Sequence, residues 1–161
     1  NYEIKKYDYL QTYYYNSTAY FVCVDNMKSR LELANSFKDI QHRTYKRIYF
    51  ESRLSPTGFE IYCVNYDNID FYLENCLFKD EEANGLTCSF KQTTHVAAAL
   101  ASKLVTIYTN YLTNIALNKE MEGEDVDFFP VPFYYKEDCN LLTSKIALDV
   151  ESYKRQKDST F

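Results

Sequence analysis

The sequence is poor in glycine, proline and tryptophan. Its 161 residues include three glycines, three prolines and no tryptophan. A domain built from many short strands needs many turns, and glycine and proline are the usual turn residues. Three glycines also leave little room for the glycine-rich loops that cradle nucleotide phosphates. The composition therefore favours helices and argues against a nucleotide-dependent enzyme.

Metal-binding and catalytic patterns are scarce as well. The chain has two histidines, His42 and His95, and no Cys-x-x-Cys pair. A zinc site needs several well-spaced ligands, and nothing marks either histidine as a catalytic base. The acidic run at 120–127 lacks the spacing of an EF-hand loop and is typical of a solvated loop. We therefore expect no metal, no cofactor and no enzymatic activity.

Charge and hydropathy argue against two classes of partner. The net charge of −5 provides no field that would attract nucleic acid or an anionic membrane. The most apolar segment, residues 89–121, is interrupted by Lys103 and by several Ser, Thr and Asn residues. It does not provide the roughly 20 consecutive apolar residues of a membrane span. We expect no nucleic-acid partner and no membrane span.

Length and apolar periodicity predict an all-α fold. A chain of this size fits one domain, residues 1–161. The run Phe59 to Tyr66 has the composition of a strand, but no partner strand is evident and an isolated strand is unstable. Pro130 and Pro132 exclude a helix just before Tyr135. Apolar residues at helical spacing otherwise predict a bundle of about five to six helices, drawn from seven candidate segments: 1–16, 18–40, 44–54, 59–66, 67–77, 89–121 and the one after Asp138.

The final predicted helix begins with Asp138 as its N-cap. Helical spacing places its apolar side chains on one inward face, formed by Leu141, Leu142, Ile146, Val150 and Tyr153.

Five cysteines favour a disulfide-stapled secreted protein. Because five is odd, one thiol stays free or pairs with another molecule, and the sequence leaves the pairing open. A reduced cytosolic core is the alternative. A start at Asn1, without a leader, is typical of a processed secretory chain and equally of a shortened one. Asn16 begins an Asn-Ser-Thr glycosylation acceptor, so a secreted glycoprotein is predicted, with the disulfide candidates Cys23, Cys63, Cys76, Cys88 and Cys139.

Aromatic residues are abundant, with 17 tyrosines and 11 phenylalanines. Tyrosine provides a large, rigid contact area with few torsions to fix, which suits binding surfaces. Core packing and compositional bias explain the average tyrosine. Two runs differ, because three consecutive aromatics cannot all face one core. We predict interaction patches at Tyr13, Tyr14 and Tyr15 and at Phe133, Tyr134 and Tyr135.

A small helical chain rich in Tyr, Asn and Lys, with scattered cysteines, resembles the salivary and effector proteins of feeding insects. Residues 63–76, CVNYDNIDFYLENC, place tyrosines between two cysteines. This segment resembles the cysteine-tyrosine-cysteine motif of the bicycle effector proteins of gall-forming aphids. The resemblance implies a protein secreted into a host, and it offers no established catalytic residues to carry over.

The sequence therefore predicts a secreted, non-enzymatic, effector-like protein that binds a host or partner macromolecule through tyrosine-rich surface. The alternative is a helical carrier of a small hydrophobic ligand, whose cavity Ile107, Tyr108 and Tyr111 would line. A carrier needs an enclosed pocket, whereas a binding protein should show an exposed aromatic patch. The partner and the oligomeric state stay open.

Overall fold

The computed structural model describes residues 19–40, 47–78, 94–120 and 129–158. Within these residues the chain forms an α/β fold with five strands and four helices, so the prediction of an all-α bundle is wrong. The elements in chain order are β1 (Ala19–Val22), α1 (Met27–Ile40), β2 (Ile48–Leu54), β3 (Gly58–Val64), α2 (Ile69–Asn75), α3 (Thr94–Glu120), β4 (Tyr134–Asp138), β5 (Thr143–Ala147) and α4 (Val150–Asp158).

The five strands form one mixed sheet in the order β1-β2-β3-β4-β5. β1 and β2 are parallel, and helix α1 makes the crossover between them. The other neighbouring strands are antiparallel. Strand order therefore follows chain order, and β5 is at one end of the sheet.

Helices cover both faces of the sheet. Successive strand residues point to opposite faces, so Tyr49 packs on one side and Phe50 on the other. Helices α1, α2 and α4 cover the first face, where Phe37, Tyr72 and Tyr153 belong to the same cluster as Tyr49. Helix α3 covers the second face, where its inward residues are Val96, Leu100, Leu104 and Ile107.

Strand β3 lies at the centre of the sheet, where a helix was predicted. Its register aligns Cys63 with Phe50 of β2 and Ile61 with Tyr135 of β4. Because helices cover both of its faces, β3 is an almost continuous apolar run, which periodicity alone does not distinguish from a buried helix. The helix predicted over 44–54 is wrong for the same reason, since β2 is also buried on both sides.

A tight turn joins β2 to β3 at the predicted turn sequence, residues 55–58. The Ser55 hydroxyl accepts a hydrogen bond from the Gly58 amide at 3.0 Å. A Cβ atom at Gly58 would overlap the backbone carbonyl of Glu137 on β4. Glycine is therefore required here by the close approach of the neighbouring strand.

The helix predicted after Asp138 is also wrong. Asp138 ends β4, and its Oδ1 accepts hydrogen bonds from the amides of Asn140 and Leu141, both at 3.0 Å. This carboxylate chemistry is similar to that of a helix N-cap, but here it organises a turn. The chain then returns as β5, and α4 begins only at Val150.

Other local predictions are confirmed. Helix α2 lies within the predicted segment 67–77, and α3 matches the central helix predicted within 89–121. The helix predicted over 18–40 is confirmed only from Met27, as α1, and it is wrong for its first part, which forms strand β1. The helix predicted over 1–16 lies outside the described residues. No helix of the described part is long and apolar enough to cross a membrane.

Candidate functional site

Of the two predicted aromatic patches, the one at residues 133–135 lies among the described residues, and it is buried. Phe133, Tyr134 and Tyr135 are exposed by 2%, 8% and 6%. Phe133 and Tyr134 pack under α4, where Tyr153 lies within 5.5 Å of both rings. Tyr135 stacks on Phe59 on the α3 side of the sheet. These three residues therefore pack β4 against the helices on both faces of the sheet. Tyr13, Tyr14, Tyr15 and the Asn16 acceptor lie outside the described residues.

The disulfide prediction is wrong for the described cysteines, because Cys23, Cys63, Cys76 and Cys139 are all free thiols. Cys63 belongs to the core under α3, whereas Cys76 belongs to the core on the other face. The sheet lies between these two thiols. Burial raises the pKa of Cys63, and it raises the pKa of Cys76 to about 11. Cys88 lies outside the described residues.

A buried ionic cluster surrounds Glu51, which is 0% exposed. Arg30 of α1 forms an ion pair with its Oε1 atom. The Nε of Arg53 donates to both carboxylate oxygens, at 2.9 and 3.0 Å. The Tyr72 hydroxyl of α2 donates to Oε2 at 3.0 Å. The cluster thus joins α1, β2 and α2.

The contacts of this cluster indicate a structural role, because its arginines also hold the backbone of neighbouring segments in place. Arg30 also donates to the backbone oxygens of Val24 and Ser52, and Arg53 donates to that of Cys76. Burial, and secondly the charge of Arg53, lowers the pKa of Arg30. Perturbed ionisable groups often mark active sites, but a substrate could not reach a fully enclosed carboxylate without opening the core.

A half-open cleft of about 370 Å³ lies at the carboxyl end of β1. Its polar wall contains Cys23, Asp25, Arg30 and Ser52, and the Ser52 hydroxyl is 3.3 Å from the Cys23 sulfur. Its apolar wall is formed by Val24, Leu54 and the α3 residues Ala97, Leu100, Ala101 and Leu104. In open α/β sheets, ligands bind preferentially beyond the carboxyl ends of strands.

The residues predicted to line a carrier cavity lie further along α3 and pack against the sheet. Ile107 is 4% exposed. The ring of Tyr108 lies 5.2 Å from that of Phe21, and the ring of Tyr111 lies 6.4 Å from that of Phe50. Burial raises the pKa of Tyr111 to about 12. None of the three lines the cleft beside Cys23.

The β4–β5 hairpin exposes a group of large aliphatic side chains. The exposed fractions are 72% for Leu141, 90% for Leu142, 49% for Ile146 and 62% for Leu148. Large exposed apolar side chains gathered on one element often mark an interaction site. Here they extend along the hairpin, with Leu141 and Leu142 in the turn and Leu148 just beyond the other end of β5. We call these four residues the hairpin patch. Helical spacing placed three of them, Leu141, Leu142 and Ile146, on the inward face of a predicted helix.

Leu142 has an unfavourable backbone conformation as well as an exposed side chain. Its φ angle is +53°, and it is the one non-glycine residue with a positive φ in the described part of the chain. The left-handed region costs an ordinary L-residue roughly 1–2 kcal/mol, and Gly, Asn or Asp occupy it more readily. Neither burial nor backbone geometry therefore favours leucine at this position.

Strand β5 also offers unpaired backbone groups. Among the described strands it pairs with β4 alone. The Cys63 amide donates to the Phe133 carbonyl and the Cys139 amide donates to the Thr57 carbonyl, so the odd-numbered residues of β4 bond to β3 and the even-numbered ones bond to β5. The register therefore turns the amides of Ser144 and Ile146 away from β4. The outward carbonyl of Ile146 accepts a hydrogen bond from the Gln156 side chain at 2.6 Å. An edge of this kind can accept a further strand.

No protein-family model matches this sequence, and no curated protein matches it significantly.

Proposed function

We propose that this chain is a non-enzymatic interaction protein that binds an extended segment of a partner protein along β5. The hairpin patch supplies the anchoring surface, and the outward amides and carbonyls of β5 supply the backbone pairing. Addition of a strand to a sheet edge is a common mode of peptide recognition. Secretion into a host is part of this proposal, and it rests on the Asn16 acceptor.

The observation that carries the proposal is Leu142. A leucine that is 90% exposed at a φ of +53° makes the free protein less stable and gains nothing from the core. Strained residues with no structural benefit concentrate at functional sites. Binding of a partner would bury this side chain and so offset its cost.

The chemistry of β5 defines the class of partner segment. Ile146 is directly opposite Tyr135 in the register and therefore lies on the α3 side of the sheet, as does Leu148 two residues later. A paired strand would present aliphatic side chains to these two residues. Lys145 is exposed and points to the other face, where an acidic residue of the partner would complement it.

Peptide selection tests the proposal. Random peptides displayed on phage are selected on the full chain, and the selected sequences are synthesised and titrated by calorimetry. We expect aliphatic residues at alternate positions and slowed hydrogen exchange of the outward Ser144 and Ile146 amides. Ile146→Ser should weaken binding roughly tenfold or more, which corresponds to losing one buried aliphatic side chain.

Val105→Ser is the matched control, because Val105 is 64% exposed but lies on α3. It should bind the selected peptides as the wild type does. Equal affinity of the Ile146→Ser and wild-type chains would reject the hairpin as the docking site.

The cleft beside Cys23 supports a second candidate, binding of a small amphipathic molecule. Its volume of about 370 Å³ and its combination of one apolar and one polar wall fit such a ligand. The fluorescent probe anilinonaphthalene sulfonate should bind the wild type and lose affinity in Ala97→Phe, which fills the cleft. If Ala97→Phe leaves the fluorescence titration unchanged, the cleft is not the site.

A further inference from the structure

The outer face of α3 lacks the charges that a solvated helix surface normally carries. Lys103 is the one Lys, Arg, Asp or Glu among residues 94–118, although a quarter of the whole chain is charged. The Lys103 ammonium group lies over the Tyr135 ring, 4.7 Å from the ring centroid. The opposite face of α3 already covers the sheet. An uncharged outer face departs from the usual pattern of a surface helix, whose side opposite the core carries charged and polar residues.

The exposed residues of this face follow a heptad pattern. They alternate steps of four and three residues through Ala98, Ser102, Val105, Thr109, Leu112 and Ala116, all of which are exposed. We call these six residues the α3 seam. A period of 3.5 residues is the pattern by which one helix packs along another in a coiled coil.

Two threonine hydroxyl groups at or beside the seam are already satisfied within the helix. Thr109 donates to the carbonyl oxygen of Val105 at 2.8 Å, and Thr106 donates to that of Ser102 at 3.0 Å. Covering a hydroxyl is costly when its hydrogen bond to water is lost without replacement. These two donors would keep their partners under a second helix.

We propose that the α3 seam is a homodimer interface, in which a second copy of this chain packs its own α3 antiparallel along the seam. The seam is symmetric about a point level with residue 107. A two-fold axis there places Val105 opposite Thr109 of the second copy and Ser102 opposite Leu112, so that a small residue faces the largest one. Ala98 then faces Ala116, and these small side chains allow the helices to approach closely.

Charge explains why a second copy fits this face. Each chain carries a net charge of −5, so two copies repel wherever acidic surfaces meet. The seam contains none of the acidic residues, and self-pairing therefore brings no like charges together. A two-fold interface also requires a self-complementary surface, which the pairing of Ser102 with Leu112 provides.

The expected dimer is weak. A helix face about 36 Å long and about 10 Å wide has an area of roughly half the ~800 Å² that each partner buries in a stable complex. We expect a dissociation constant on the order of 10–100 μM. Sedimentation equilibrium of the full chain from micromolar to millimolar concentration should show the mass rising from one chain to two. A constant monomer mass over this range would overturn the proposal.

Charge variants test the interface and its direction. Val105→Glu and Thr109→Lys should each remove the dimer, because a charge would be buried against a neutral partner. The double variant V105E/T109K should restore it, since antiparallel packing pairs the introduced carboxylate of each copy with the introduced ammonium group of the other. A parallel dimer would instead place like charges together and stay dissociated. Leu142→Glu, on the hairpin patch, should dimerise as the wild type does.

Circular dichroism must show the wild-type spectrum for every variant, and all the substituted side chains are exposed in the monomer. Persistence of the dimer in both single variants overturns the proposal. Failure of the double variant to dimerise overturns the antiparallel pairing.

Discussion

Glu51 shows how one buried carboxylate connects three elements. It is fully enclosed, and its neighbours Arg30 and Arg53 are exposed by only 7% and 13% at their side chains. Removing one member of a buried ion cluster leaves the others without compensation, which typically costs more than the ion pairs contribute in total. The cluster therefore constrains the position of α1 and α2 on the sheet more than it adds net stability.

Glu51→Gln should lower the free energy of unfolding by about 3–5 kcal/mol, because two buried guanidinium groups would face a neutral amide. Glu60→Gln is the matched control. Glu60 pairs with Lys136 on the same sheet face, but both side chains are partly exposed, so its loss should cost about 1 kcal/mol or less. Urea denaturation measures both. Similar losses in the two variants would contradict a closed ion cluster around Glu51.

The free thiols should differ in reactivity. Cys23 is exposed, whereas Cys63 and Cys76 are buried with raised pKa values. Thiolate is the reactive form, so at pH 8 we expect iodoacetamide to modify Cys23 first in the native chain. Peptide mass mapping over time measures the order. Cys23→Ser should remove this fast reaction. Modification of Cys76 at the same rate as Cys23 would contradict the described core.

At the scale of elements, local pattern identified the helices and missed the strands. Helices α2 and α3 were predictable because a helix makes its backbone hydrogen bonds within itself. β3 was not, because its pairing depends on β2 and on β4, which lies far along the chain. The segment Phe59 to Tyr66 carried the β-branched and aromatic composition of a strand, and the missing information was its partners.

The hairpin was missed for a second reason. Leu141, Leu142 and Ile146 fit helical spacing, so the sequence placed them on an inward face. The turn-forming signal was Asp138 followed by Asn140, since such side chains accept hydrogen bonds from nearby amides. This signal is shared with helix N-caps, and only the sheet decides between the two. The candidate docking residues were therefore visible in the sequence but assigned to the core.

Leu142→Asn should stabilise the free protein while weakening peptide binding. Asparagine adopts a positive φ more readily than leucine, so we expect a gain of about 0.5–1 kcal/mol in unfolding free energy. Leu141→Asn is the control, because Leu141 is also exposed but its φ is not positive; its stability should stay within ~0.5 kcal/mol. Thermal unfolding compares them. A loss of stability in Leu142→Asn would mean that leucine contributes to the fold there.

For the whole molecule, one sheet with helices on both faces leaves surfaces that the described fold does not cover, and two of them carry the proposals. One is the edge at β5, with the hairpin patch beside it. The other is the α3 seam, on the opposite side of the helical layer from the sheet. Their chemistry differs, since the first offers backbone hydrogen bonds, exposed aliphatic side chains and the strained Leu142, and the second offers a small, uncharged helix face. The two proposals therefore concern separate surfaces and can be tested independently.

The docking surface depends on the chain forming a strand pair between residues 134 and 147, where the sequence predicted a helix. Nuclear Overhauser spectroscopy of the labelled full chain tests this directly. Tyr135 and Ile146 are opposite each other in the register. They form a non-hydrogen-bonded pair, because the odd-numbered residues of β4 bond to β3, and the Hα protons of such a pair approach closely. We predict a strong Hα–Hα cross-peak between these two residues. Helical cross-peaks from the Leu142 Hα to the Lys145 side chain, without the Tyr135–Ile146 peak, would contradict the hairpin and the docking surface together.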